Sequence, residues 1–189
     1  MAKVSIIGTG TWGIALGMVL AQNGHEVTAW SALPKEIEAL RESYTCKNLP
    51  GVEIPRSIVF TADLQEACTD KEMLVLSVPS VFTRGVAKQM NPFVKEGQLI
   101  VSVAKGIEEK TLMTMSQQIE EELPMANVAV LSGPSHAEEV SRGIPTTVVV
   151  GAKDRQTAEH IQNLFMSSVF RVYTSPDILG IELGGALKN

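Results

Sequence analysis

The chain has 189 residues, 44% hydrophobic, 20% charged and 5% aromatic, with 16 Lys plus Arg against 21 Asp plus Glu for a net charge of −5. These proportions exclude a disordered or collagen-like chain, and an acidic balance without a basic block excludes a general nucleic-acid binder. Cys46 and Cys68 stand outside any Cys-x-x-Cys or Cys/His cluster, so they read as free thiols of a reducing compartment rather than metal ligands or a disulfide framework.

Lys3 to Ile7 reads as a buried strand, Trp12 to Gln22 as an apolar helix closed by Asn23-Gly24, and Glu26 to Trp30 as a second strand. Together they make a βαβ unit. Lys3 ahead of the apolar stretch Trp12 to Ala21 looks superficially like a signal peptide, but Gly8, Gly10 and Gly13 interrupt it. No segment approaches about 18 unbroken apolar residues, so the expectation is a soluble cytoplasmic protein without membrane insertion. The polar stretch Tyr44 to Pro55 reads as a loop. Ile58-Val59-Phe60 follows as a strand, then a helix opened by Asp63 with Glu66 three residues on, then the strongly apolar Met73 to Val78 and a helix after Pro79-Ser80. Leu99 to Val103, Val128 to Leu131, Thr146 to Val150 and Phe170 to Tyr173 are further strands, separated by helical patterns such as Thr111 to Glu122 and Ala158 to Met166. Apolar strands alternating with helices predict an α/β fold: a doubly wound, mostly parallel Rossmann-type sheet with helices on both faces. From Asp177 the chain turns into an apolar helical stretch without a polar tail, so residues 1–176 are expected to form the dinucleotide-binding domain and 177–189 to begin a further domain.

Gly8-Thr9-Gly10-Thr11-Trp12-Gly13 is a G-x-G-x-x-G fingerprint directly after the first strand and at the start of the first helix. Gly8 allows the tight turn, Gly10 lets backbone approach a pyrophosphate, and Gly13 lets the helix pack closely on the sheet. The diphosphate would meet free N–H groups and the positive end of the helix dipole. An NAD-preferring site usually places Asp or Glu at the end of the second strand, and Trp30-Ser31-Ala32-Leu33-Pro34-Lys35 has none there. Ser31 or Lys35 could accept a 2′-phosphate, or both could lie on a solvated loop. The cofactor is therefore expected to be NAD or NADP.

Ligands of doubly wound sheets lie beyond the carboxyl ends of the strands, where Pro79-Ser80, Lys105-Gly106 and Ser132-Gly133-Pro134-Ser135 stand. Lys105 at such an end suits an anionic substrate or the cofactor. Ser135 with Glu138 forms a capping-box pattern that would cap the following helix. Alcohol–ketone interconversion with a nicotinamide needs a group that moves the hydroxyl proton, and a lysine can do so once its pKa falls from about 10.4 toward neutrality. Lys188, after the small residues Gly184-Gly185-Ala186, is the candidate, with Lys105 as the cation that tunes it. His136 is the rival acid/base and reads better as a helix-start residue facing water, while His25, His160 and Glu120-Glu121-Glu122 suggest nothing catalytic.

Five ordered motifs, Gly8 to Leu16, Val78-Pro79-Ser80, Lys105-Gly106-Ile107-Glu108, Ser132-Gly133-Pro134-Ser135 and Gly184 to Asn189, together resemble the NAD(P)-dependent glycerol-3-phosphate dehydrogenases of the bacterial biosynthetic type. The resemblance implies reduction of dihydroxyacetone phosphate to sn-glycerol 3-phosphate for glycerophospholipid synthesis. It implies that Gly8, Gly10, Thr11, Trp12, Gly13, Ala32, Lys105 and Ala137 border the cofactor, that Lys105, Gly133 and Ser135 hold substrate, and that Lys188 is the catalytic acid/base. It also implies an all-helical domain beyond this chain, so that these residues alone would bind cofactor rather than turn over; a homodimer is left open. A reductase of another small keto acid and a dinucleotide-binding sensor without chemistry are the competing expectations.

Overall fold

The computed structural model describes residues 1–188; Asn189, the last residue of the fifth motif, lies outside the described residues. Eight strands form one sheet: β1 Lys3–Ile7, β2 Glu26–Trp30, β3 Val59–Thr61, β4 Met73–Leu76, β5 Leu99–Ser102, β6 Asn127–Ser132, β7 Thr146–Gly151 and β8 Phe170–Ser175. Their spatial order is β3-β2-β1-β4-β5-β6-β7-β8, with every neighbouring pair parallel except β6 and β7. The order reverses direction between β1 and β4, which opens a crevice beyond the carboxyl ends of those two strands.

Strand alternation divides the core into two layers. Val4 and Ile6 of β1 face one side with Ile14 and Leu16 of helix α1 (Thr11–Gln22), while Ile7 faces the other. Met73 and Val75 separate from Leu74 and Leu76 in the same way. Because both faces are covered, such strands carry no polar side and read as unbroken apolar runs.

Helix α2 (Pro34–Ser43) was not anticipated from the sequence. Its signals are compressed into ten residues: Pro34 at the first helical position, Glu36 in the first turn, Arg41 in the last, and only Ile37 and Leu40 buried. Helix α3 (Leu64–Cys68) starts where expected, with Asp63 accepting from the Gln65 and Glu66 N–H groups; the Glu66 carboxylate turns instead to the Thr61 hydroxyl at 2.5 Å. Thr83–Met90 forms α4 after a short 3₁₀ turn at Ser80–Phe82. Helix α5 (Met115–Glu122) begins four residues later than expected, because Leu112 takes a left-handed φ of 60° and Thr114 caps the helix with Gln117 reciprocating.

The reversal of β7 has a geometric cause. Helix α6 (Ala137–Ser141) has only five residues, a rise of about 7.5 Å, whereas β6 runs about 20 Å, so the chain re-enters the sheet at the end it left. Helix α7 (Arg155–Phe165), capped by Asp154, restores the parallel pairing of β8. Helix α8 (Ile178–Leu187) then lies against β6 and β7, with the Asp177 carboxylate accepting from the Gly180 N–H at 2.8 Å. No described helix is long and apolar enough to cross a membrane.

The two thiols differ in environment. Cys68 is 1% exposed, and burial pushes its pKa up to about 12, with Lys71 opposing weakly, while Cys46 is half-buried in the loop after α2. At pH 8 one thiol of the native chain, Cys46, is expected to react with a disulfide reagent, and Cys68 only after unfolding. Since the folded chain keeps the Cys68 proton over a range where the unfolded chain has lost it, stability falls as pH rises from 9.0 toward about 12. Denaturant melts at pH 8 and 10.5 check this: Cys68→Ser should flatten the alkaline decline.

Candidate cofactor and active site

The glycine fingerprint is a turn followed by a helix start. Gly8 sits at φ 120°, and its N–H donates to the Trp30 carbonyl at 2.9 Å, fastening the end of β1 to the end of β2. A Cβ on Gly13 would lie 2.1 Å from the Gly8 carbonyl and 2.5 Å from Ser77 Oγ, so α1 can approach the sheet only with glycine there. At Gly10 nothing lies within 4 Å of the same position. The Ile14 N–H bonds back to Gly10 O at 2.9 Å, so the amides ahead of it face the crevice without intrahelical partners.

Two adjoining hollows meet at Gly10. One, of about 550 Å³, runs from Gly8 and Gly10 under Ser31, Ala32 and Leu33 toward Glu36 and Phe82. The other, of about 570 Å³, runs from Gly10, Thr11 and Trp12 past Pro79 and Ser80 to Lys105, Ser135 and Ala137. Five buried side-chain polar atoms find no partner among the described residues, and three of them, Thr9 Oγ1, Trp12 Nε1 and Ser135 Oγ, belong to residues lining these hollows. An unpaired buried donor or acceptor costs about 1–3 kcal/mol, which a bound ligand's polar groups would offset. The residues therefore fit a dinucleotide.

The lysines meet at the far end of the groove. The half-buried Lys105 ammonium donates to the Gly133 carbonyl at 2.9 Å. Burial holds its pKa below the ordinary lysine value, and the nearby Lys188 ammonium lowers it further. Lys188, exposed at the end of α8, lines a smaller hollow of about 250 Å³ with Gly133, Gly184 and Gly185. A Cβ on Gly185 would stand 2.6 Å from Ser132 Oγ and 3.5 Å from Lys105 Cγ, so α8 needs glycine to pass this close.

Both lysine-bearing segments are tied down. Arg84 of α4 grips Glu108 through two 2.8 Å bonds, reaches Glu122 at 3.0 Å and also pairs with Glu121, which pins the loop after Lys105 to α4 and α5. The Arg84 guanidinium holds the Glu108 pKa down at about 2. On α8 the buried Glu182 carboxylate accepts from the Ser116 N–H at 2.8 Å and the Ser116 hydroxyl at 2.6 Å.

The sequence-expected residues thus converge with a few differences. Ser135 does not cap: α6 begins at Ala137 with the exposed His136 at its N-cap, and the buried Ser135 hydroxyl is left over for another partner. Lys105 is the more withdrawn of the two amines, half-buried where Lys188 is exposed. Glu36 and Phe82 were missed; the Pro-x-Glu start of α2 was the available signal for the first, and an apolar residue 60% exposed beside a strand end is visible only in three dimensions. Among the described residues no three His, Cys, Asp or Glu side chains are grouped to hold a metal ion.

Residues 3–158 match the family profile described as the N-terminus of NAD-dependent glycerol-3-phosphate dehydrogenase. A glycerol-3-phosphate dehydrogenase [NAD(P)+] of Agathobacter rectalis is 61% identical over 190 residues, covering 100% of this chain and 56% of its own length. One of Fusobacterium nucleatum is 53% identical over 192 residues, again covering 100% of this chain and 57% of the relative. The crystal structure of glycerol-3-phosphate dehydrogenase from Coxiella burnetii superposes with a TM-score of 0.91 at 28% identity, over 97% of this chain and 57% of that one. The chain thus spans little more than half the length of the relatives it matches.

Proposed function

The chain belongs to the NAD-dependent glycerol-3-phosphate dehydrogenase family, and on that footing we propose that it binds NAD or NADP along the groove from Ala32 to Lys105. In a protein of its relatives' length, it would serve the cytoplasmic reduction of dihydroxyacetone phosphate to sn-glycerol 3-phosphate for glycerophospholipid synthesis. The observation that carries the reading is the convergence of two ammonium groups, Lys105 and Lys188, beyond the strand ends at one end of a groove that begins at a helix N-terminus.

When bound, a nicotinamide supplies the hydride that such a ketone needs. The rest falls to side chains of this chain. Lys188 holds the proton that the carbonyl oxygen takes as it becomes a hydroxyl. Lys105 commits one N–H to Gly133 and has two left for the substrate oxygen or the cofactor amide. The paired positive charges attract a phosphorylated substrate into an otherwise acidic protein. The unpartnered Ser135 hydroxyl is a further donor for substrate.

The test follows loss of reduced nicotinamide with NADH or NADPH in a protein of the relatives' length. Dihydroxyacetone phosphate should be turned over, and dihydroxyacetone, without the phosphate, should be nearly inert. Turnover with neither coenzyme would sink the proposal; equal use of both ketones would point to a reductase of another substrate.

A further inference from the structure

The end of β2 lacks an acid in sequence, yet the fold brings one to it. Glu36, in the first turn of α2, lines the hollow beneath Ser31, Ala32 and Leu33 and is half-buried there. Ser31 Oγ donates to Glu36 Oε2 at 2.5 Å while accepting from the Leu33 N–H at 3.2 Å. The Ser31 proton is therefore committed to a carboxylate, and the hydroxyl has none left for a phosphate oxygen. Lys35, the other residue that could hold a phosphate, is exposed on α2 and does not line the hollow. Arg41 is likewise turned away, donating to the Phe60 carbonyl at 2.6 and 2.9 Å. Glu36 is the single charged side chain among the described residues lining this hollow.

From this arrangement we infer that Glu36 is a cofactor-selecting residue that turns the groove toward NAD(H) and against NADP(H). The inference rests on the reading above that the groove holds a dinucleotide. A ribose 2′-hydroxyl brings its own proton, which the second Glu36 oxygen can accept. A 2′-phosphate brings only acceptors and a charge of about −1.5 to −2, facing a carboxylate with no lysine or arginine in the lining to compensate. The first turn of α2 also favours a negative side chain at Glu36, so the fold keeps the charge there at little cost.

Calorimetric titration of the 189-residue chain with NADH and with NADPH tests this without turnover. The wild-type chain is expected to bind NADH at least about tenfold tighter, the scale of one like-charge contact in the hollow. Glu36→Gln should shrink that ratio to about threefold or less, mainly by tightening NADPH, and Glu36→Ala should do the same if the glutamine variant misfolds by circular dichroism. Glu38→Gln removes the same charge from an exposed position of the same helix and should leave the ratio as it was. A wild-type preference for NADPH, or a ratio that neither Glu36 variant moves, overturns the selecting role while leaving the groove's function intact. Binding of neither coenzyme overturns both.

Discussion

Lys188→Ala, in a protein of the relatives' length, is expected to lower kcat for ketone reduction about 10³-fold, within the range that a positioned proton donor contributes. NADH affinity should stay within about twofold, because Lys188 lines the hollow beyond Gly133 rather than the crevice at Gly10. Lys188→Arg separates charge from proton transfer: guanidinium keeps the positive charge but does not release its proton near neutral pH. It should therefore bind substrate with near-normal KM and still turn over slowly. Steady-state kinetics on the two variants beside coenzyme titration read out each part. Full kcat in Lys188→Ala would move the proton-transfer role to Lys105, whose ammonium burial already destabilises.

The second large effect separates two glycines of one fingerprint. Gly13→Val places a branched side chain where even a Cβ would sit 2.1 Å from the Gly8 carbonyl and 3.1 Å from Ile6 Cγ2. Neither backbone nor a fully buried isoleucine can give way, so α1 must lift from the sheet, at a cost of about 3 kcal/mol or more. Thermal stability and coenzyme binding should fall together. A Cβ at Gly10 meets nothing within 4 Å, and Gly10 already adopts φ −60°, which any residue accepts. The Gly10→Val variant should melt within a few degrees of the wild type yet bind NADH about 100-fold more weakly, since its side chain fills the space over the helix amides. Calorimetric melts and coenzyme titrations on both variants check the contrast. Intact binding in Gly10→Val would mean that the pyrophosphate does not lie over α1.

Much of this site is readable before folding because it depends on local rules. The spacing Gly8, Gly10, Gly13 encodes a turn, an approach and a packing contact that all lie within six residues, and β1 and α1 flank it in sequence as in space. Lys105 and Ser135 were also legible, because a residue just past an apolar strand must emerge at the sheet's carboxyl edge. The strands themselves were found to within one or two residues: burial on both faces leaves an apolar run in central strands such as β4, while the edge strand β8 alternates buried and exposed residues.

What escaped the sequence depends on pairings between distant or short segments. The Ser135–Glu138 pattern looks like a cap, yet the chain stays extended through His136, and the hydroxyl ends up buried and unpaired. Helix α2 hides in a charged stretch with two buried residues, and with it went the carboxylate that answers the missing acid of β2. That the Lys105 amine sits below its ordinary pKa follows from its desolvation, and burial is a property of the packed molecule.

The sequence alone determined the doubly wound class, the glycine turn and the list of cations, since periodicity and backbone stereochemistry act over a few residues. Only the tertiary structure decided the antiparallel return of β7, the burial of Lys105, and the reach of Glu36 back to Ser31. Those are set by helix lengths and by contacts across the sheet, where electrostatic and packing energies depend on distances that no local pattern encodes.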